Sequence, residues 1–344
     1  MFGSVRKRVR RLLWGAAYRR VVRPLLFMLP PETAINASTR ALGVRPAWRA
    51  LGPSSDEVSL PASVGGIALR NPVGLAAGLD KHCASMDSLA ALGFGYVVGG
   101  TVTAQARPGN AKPRVLRITE QESVINALGF PGDGLDAALA RLERLHRMPA
   151  RVLVSIAALD EQETAECAER LQPLVDGVEV NISSPNTAGL RRFHEPAALR
   201  GLLGVLNAVR LKPLFVKIPP WTNDEEREQI LALVRVCRED GVDAVTAANT
   251  IPVEDERLAT GRGGLSGRAI LENMLAMLPD IRAELGSGVG LNACGGIASA
   301  DDARAALEAG ADTVQLYTAL VFQGPGLVEE ICSGLRTRPP EGWR

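Results

Sequence analysis

The sequence predicts an α/β fold: a (β/α)8 barrel carrying an N-terminal helical extension. Three observations predict it. Short apolar runs recur from about residue 70 onward with helical stretches between most of them, and eight is the number that closes such a barrel. No G-x-G-x-x-G run opens a helix, so the competing doubly wound sheet lacks its usual fingerprint. Several apolar runs also end in amide, hydroxyl or lysine side chains, as expected where strand ends converge on one mouth. The chain divides accordingly into a helical segment, residues 1–50, and the barrel, residues 51–344.

Residues 1–50 read as two short amphipathic helices parted near Pro30-Pro31. The first interleaves Phe2, Leu12, Leu13, Trp14 and Phe27 with Arg6, Lys7, Arg8, Arg10, Arg11, Arg19, Arg20 and Arg23, all before the first acid, Glu32. That face suits a helix lying in an anionic membrane surface. A basic helix packed on the protein's own core, or a basic tail, are the alternatives. The expected strands are 73–77, 96–99, 152–157, 177–182, 214–218, 244–248, 289–293 and 313–317. Their nearly unbroken apolar character fits strands buried on both faces of a parallel sheet. Helices over 161–174, 196–209, 224–239 and 300–309 fill intervals between them, and Gly263-Gly264-Leu265-Ser266-Gly267 reads as a glycine-rich loop after the sixth strand.

Composition narrows the function classes. A net charge of +1 gives no electrostatic case for nucleic acid. The five cysteines are scattered without a C-x-x-C pair, which argues for a reducing compartment and against zinc or iron–sulfur sites. Three histidines, none spaced as ligands, leave no catalytic metal expected. No apolar run approaches the ~20 residues of a membrane-spanning helix, and charges interrupt the start too often for a secretory signal.

The richest stretch is Val178-Glu179-Val180-Asn181-Ile182-Ser183-Ser184-Pro185-Asn186-Thr187, an apolar strand that alternates with one acid and ends in amides and hydroxyls. Other strands end alike. The first leads into Ala76-Ala77-Gly78-Leu79-Asp80-Lys81, and the second reaches Thr101 with a following loop that carries Asn126 and Phe130. The fifth ends in Lys217 and the sixth in Asn249-Thr250. Side-chain amides match the alternating N–H and C=O edge of a pyrimidine-dione. A lysine holds a carboxylate by charge-assisted bonds, and a lysine beside a flavin pyrimidine ring stabilises negative charge on it. Cys294-Gly295-Gly296-Ile297 after strand seven and Tyr317-Thr318 after strand eight stand where barrels bind phosphate.

Together these motifs resemble the quinone-dependent (class 2) dihydroorotate dehydrogenases, from about Asn71 to the end, with Leu29-Pro30-Pro31-Glu32-Thr33-Ala34 matching the family's quinone-tunnel helices. The resemblance implies FMN over the mouth, touching Ala76, Ala77, Gly78, Lys81, Thr101, Asn181, Lys217, Ala248, Gly267, Gly296, Tyr317 and Thr318. It implies dihydroorotate held by Lys81, Asn126, Asn181, Asn186, Asn249 and Thr250. Ser184 matches the base that takes the substrate's C5 proton, relayed through Thr187 and water beneath Phe130. A membrane quinone as acceptor and a peripheral place on the cytoplasmic side of the cell membrane follow from the same likeness.

The chain departs from the family in places. Val154-Ser155-Ile156-Ala157 stands where the third strand normally carries an FMN-touching Asn, and it is closer to class 1, as is Lys217-Ile218-Pro219-Pro220. Ala248 replaces a threonine, Ala127 an arginine, and Ile35 a histidine near the tunnel. Two other readings stay open on sequence alone. One is a related FMN dehydrogenase with another small carboxylated substrate or a soluble acceptor such as fumarate; the other is a flavin-binding protein without turnover.

Overall fold

The computed structural model describes residues 15–145, 148–184 and 189–342. In chain order its strands are β1 (Ala62–Val64), β2 (Ile67–Leu69), β3 (Val73–Leu75), β4 (Tyr96–Val102), β5 (Val115–Ile118), β6 (Ser123–Asn126) and β7 (Arg151–Ala157). There follow β8 (Gly177–Asn181), β9 (Leu214–Lys217), β10 (Ala244–Ala247), β11 (Ile251–Glu254), β12 (Arg262–Gly267), β13 (Gly290–Cys294) and β14 (Thr313–Leu316). Eight of them close a parallel barrel in the order β10-β13-β14-β3-β4-β7-β8-β9. These are the eight runs expected from the sequence, with ends shifted by a residue or two except that β4 runs on through Val102. β4 is buried along its whole length, as a barrel strand with helices outside must be.

The helices between them start where the sequence supplies a cap. Asp160 accepts hydrogen bonds from the Gln162 and Glu163 amides, Asn223 from Glu226, and Ser299 from Asp302. They open Glu161–Leu171, Asp224–Glu239 and Ala300–Glu308, whose apolar faces join one core with the outer faces of the strands.

The barrel interior has two zones. At its N-terminal end Val64, Ile67 and Leu69 of the β1–β2 hairpin pack with Tyr96, Val98, Leu153, Phe215 and Ala244, and so plug the floor. Beyond the plug the interior turns polar. Tyr96 donates to Asn292 Oδ1 (3.2 Å), Asn292 donates to Thr246 Oγ1 (3.2 Å), and Thr246 donates to Glu179 Oε2 (2.9 Å).

The Gly263–Gly267 stretch is not a loop. It forms β12 in a four-stranded antiparallel sheet ordered β11-β12-β6-β5, and Asn126 ends β6 rather than lying in a loop. Glycine serves close approach here: a Cβ on Gly263 would lie 2.8 Å from the Asn126 carbonyl oxygen.

The N-terminal segment breaks at Pro30, as its prolines require, but into more pieces than two helices. A π-helical turn, Tyr18–Val22, runs into the helix Arg23–Phe27; Pro31–Leu42, Arg45–Leu51 and Ser55–Val58 follow. Polar contacts fix it to the sheet and barrel. Arg117 donates to the carbonyls of Phe27 (3.0 Å) and Leu29 (2.6 Å), and its guanidinium sits 4.6 Å from the Phe27 ring centre. Arg114 pairs with Glu32 at 2.9 Å, and Tyr18 donates to the Val321 carbonyl at 2.8 Å. The basic stretch Arg6–Arg11, with Phe2 and Leu12–Trp14, lies outside the described residues.

Candidate active site

The C-terminal ends of the barrel strands, the antiparallel sheet and the N-terminal helices enclose one cavity of about 830 Å³. That volume lies in the range of small-molecule and cofactor sites. Every described residue assigned to the cofactor, substrate or catalytic site from the sequence lines it: Ala76, Ala77, Gly78, Lys81, Thr101, Asn126, Phe130, Asn181, Ser184, Lys217, Ala248, Asn249, Thr250, Gly267, Gly296, Tyr317 and Thr318. Asn186 and Thr187 lie outside the described residues, so the proposed relay through Thr187 has no described geometry.

A hydrogen-bond chain sets the strand ends against one another. Asn249 donates to Ser183 Oγ (2.9 Å), and the Ser183 hydroxyl and amide both donate to Asn181 Oδ1 (2.8 and 3.0 Å). Asn181 Nδ2 in turn reaches Thr101 Oγ1 at 3.5 Å, which meets the Ser155 hydroxyl at 3.1 Å. One line of side chains thus joins the ends of β10, β8, β4 and β7. The Asn181 amide is locked by it, which is how a barrel fixes a recognition group on rigid strands.

The two lysines sit in different surroundings. Lys81 is half-buried at the rim and donates to the Gly78 carbonyl at 2.6 Å. The loop that holds it is set by Asp80, whose carboxylate accepts from the Ala84 and Ser85 amides (2.9 and 2.7 Å). Burial pushes the Asp80 carboxyl up, against the pull of those amides. Lys217 is buried at the base of the cavity and donates to Cys294 Sγ at 3.5 Å. Burial opposes its charge, but the neighbouring Cys294 sulfur and the Glu179 carboxylate outweigh this and hold its pKa above the ordinary lysine value. Burial in turn pushes the Cys294 thiol up, against the pull of Lys217.

At the far side Gly267 (φ 96°), Gly295 (φ 147°) and Gly296 (φ 75°) adopt backbone that side chains rarely take. Thr318 donates to Ser266 at 2.9 Å and opens the helix Thr318–Gln323 without a side-chain cap, leaving backbone N–H groups at the cavity wall. Gly78 (φ 108°) has only the Tyr317 ring near a built Cβ, at 3.3 Å. A planar ligand can therefore approach the main chain there.

Ile35, expected near the tunnel, lines the cavity on its helical side, and further walls were not assigned from the sequence: Tyr18, Arg117 and Glu122 on that side, and Gln315 at the base. Arg117 does carry a signal, being the lone polar residue of an apolar strand, and Gln315 shares its strand with one other polar residue, Thr313. Among the described residues no group of three His, Cys, Asp or Glu is placed to hold a metal ion, and no helix is long and apolar enough to cross a membrane.

Comparison with known proteins agrees with this geometry. Residues 59–338 match the family model for dihydroorotate dehydrogenase. The chain is 40% identical over 342 residues to a dihydroorotate dehydrogenase (quinone) of Xanthomonas oryzae pv. oryzae (strain PXO99A), covering 92% of this chain and 96% of that protein. The enzyme of the same name from Flavobacterium lutescens is 39% identical over 339 residues, with the same coverage. The crystal structure of DHODH in complex with ferulenol from Eimeria tenella superposes with a TM-score of 0.78 at 29% identity, covering 89% of this chain and 90% of that one.

Proposed function

Because the chain belongs to the dihydroorotate dehydrogenase family, a family of oxidoreductases, we propose that it oxidises dihydroorotate to orotate on FMN and passes the electrons to a membrane quinone. The observation that carries this is the single cavity, in which an amide- and lysine-lined mouth continues beneath the N-terminal helices.

The residues present fit FMN. Gly78 leaves room for a flat ring against the backbone, and Lys217 and Asn181 stand at the base as a fixed cation and a fixed amide. Gly295, Gly296 and the open first turn after Tyr317 offer N–H groups for a phosphate. When bound, FMN supplies a two-electron acceptor for the substrate's hydride. Lys81 holds the substrate carboxylate, while Asn126, Asn181, Asn186, Asn249 and Thr250 orient its ring edge. Ser184 removes the C5 proton. A lone hydroxyl is a weak base, so Thr187 and water complete its relay. Phe130, held at φ 56° between Gly129 and Pro131, lines the same cavity, where its ring would help keep bulk water from the relay.

Residues 1–50 form the acceptor's entrance and residues 51–344 the catalytic barrel. Val21, Leu25 and Met28 are 57%, 60% and 80% exposed beside the half-buried to exposed Arg19, Arg20 and Arg23, a pattern that suits the surface of an anionic bilayer. The protein is thereby a peripheral one, on the cytoplasmic side of the membrane, with no role for nucleic acid.

The test is anaerobic. Dihydroorotate should bleach the flavin absorbance of the purified protein, and a long-chain quinone in anionic vesicles should restore it faster than fumarate. A colourless protein that FMN cannot reconstitute sinks the flavin reading; faster recovery with fumarate sinks the quinone.

A further inference from the structure

Glu179 is a carboxylate with no task in the chemistry above. It is fully buried on β8 inside the barrel, where an isolated charge is strongly disfavoured. Thr246 satisfies its Oε2, but its Oε1 has no hydrogen-bond partner. Lys217 is enclosed in the same interior, with Cys294 Sγ at 3.5 Å as its acceptor. The ladder register brings the two together. Asn181 pairs with Lys217 across β8 and β9, and Glu179, two residues earlier, shares the inward face of Asn181. Glu179 and Lys217 are therefore diagonal neighbours, within reach of side chains of this length.

Gln315 adds a second unpartnered side chain. It lies close enough to the Tyr96 hydroxyl to favour the ionised phenol, yet neither end of its buried amide makes a hydrogen bond of acceptable geometry. Gln315 lines the cavity and Glu179 lies in the barrel interior beyond it, and unpartnered buried polar atoms of this kind are commonly bridged by an internal water. The other titratable groups facing the pair are the Cys294 thiol of β13 and the Tyr96 phenol of β4, and burial pushes both pKa values up.

We infer that Glu179 is the buried counter-charge that keeps Lys217 a cation at the base of the cavity, acting through a bridging water. Glu179 is thus a positioning residue for the electrostatics of the flavin site. Its effect on flavin rests on the FMN reading; its pairing with Lys217 does not.

The experiment has two arms on the purified full chain. The first is a double-mutant cycle on thermal unfolding. Glu179→Gln and Lys217→Met should each lower Tm, because each leaves one buried charge alone, and the double variant should lose less than the sum of the two. Additive losses, or a double variant that fails to fold, overturn the pairing. The second arm follows the midpoint potential of bound FMN from pH 6 to 9. In Glu179→Gln the potential should fall more steeply with pH than in wild type, by up to one further proton per two electrons. That is a tenfold change in the reduction equilibrium per pH unit, ~30 mV for a two-electron couple. Glu179→Asp should restore the wild-type slope. Equal slopes in wild type and Glu179→Gln overturn the electrostatic role. A protein without flavin defeats the FMN reading alone, and the cycle still decides the pair.

Discussion

Ser184 and its neighbour Ser183 divide the work of one loop. Ser183 is buried and bonded to Asn181 and Asn249, whereas Ser184 faces the cavity. Ser184→Ala should therefore leave FMN content and orotate binding intact while slowing flavin reduction by orders of magnitude, measured by stopped flow. Full-speed reduction in that variant would show that another group takes the proton. Residues of this kind were partly legible in the sequence. Asn181 and Lys217 stand out because each is polar at the end of an apolar strand. Ser183 does not, since its importance lies in bonds to Asn249, far along the chain, and only the closed barrel brings those strand ends together. Glu179 showed itself as the one acid in its strand, but its proximity to Lys217 needed the register.

At the scale of elements, barrel strands announce themselves by being apolar on both faces, and the helices as the stretches between them. The antiparallel sheet was harder to see. The glycines and serine of β12 have the composition of a loop, and the partner that makes them a strand, β6, precedes them by some 140 residues. The N-terminal helices show the same limit. Their amphipathic pattern was clear, but the carbonyl contacts of Arg117 that hold them were not. Leu25 and Met28 point away from those contacts and are exposed. Leu25→Asp with Met28→Asp should then weaken binding to anionic vesicles in a flotation assay without lowering dihydroorotate-driven flavin reduction. Each basic residue near the bilayer contributes roughly 1 kcal/mol, so wild-type binding should also weaken with salt. Undiminished flotation of the double variant would place the membrane contact elsewhere.

For the molecule as a whole, pH acts on folding through a histidine beside the site. The ring of His194 meets the Ile182 carbonyl at 2.9 Å, and burial lowers its pKa below the ordinary value near 6.5. The folded state thus prefers the neutral ring. Its contribution to stability is fully present above ~6.5 and is lost as pH falls through the lower folded pKa. His194→Gln keeps an N–H for Ile182 but cannot titrate, so its Tm should fall less than that of wild type between pH 7 and 5. Parallel Tm curves would exclude this histidine as the source of the acid sensitivity.

One cavity whose wall is partly a separate helical segment makes ligand affinity and segment docking a single equilibrium. A compound that fills the space between Ile35, Arg117 and the barrel mouth binds only the docked form. At a hundredfold excess over its Kd it should hold that form by about 2.7 kcal/mol. Protease cutting within residues 15–45 should slow by up to about a hundredfold in its presence, while cutting elsewhere stays unchanged. The helical wall of this cavity is in that sense held in place by whatever fills it.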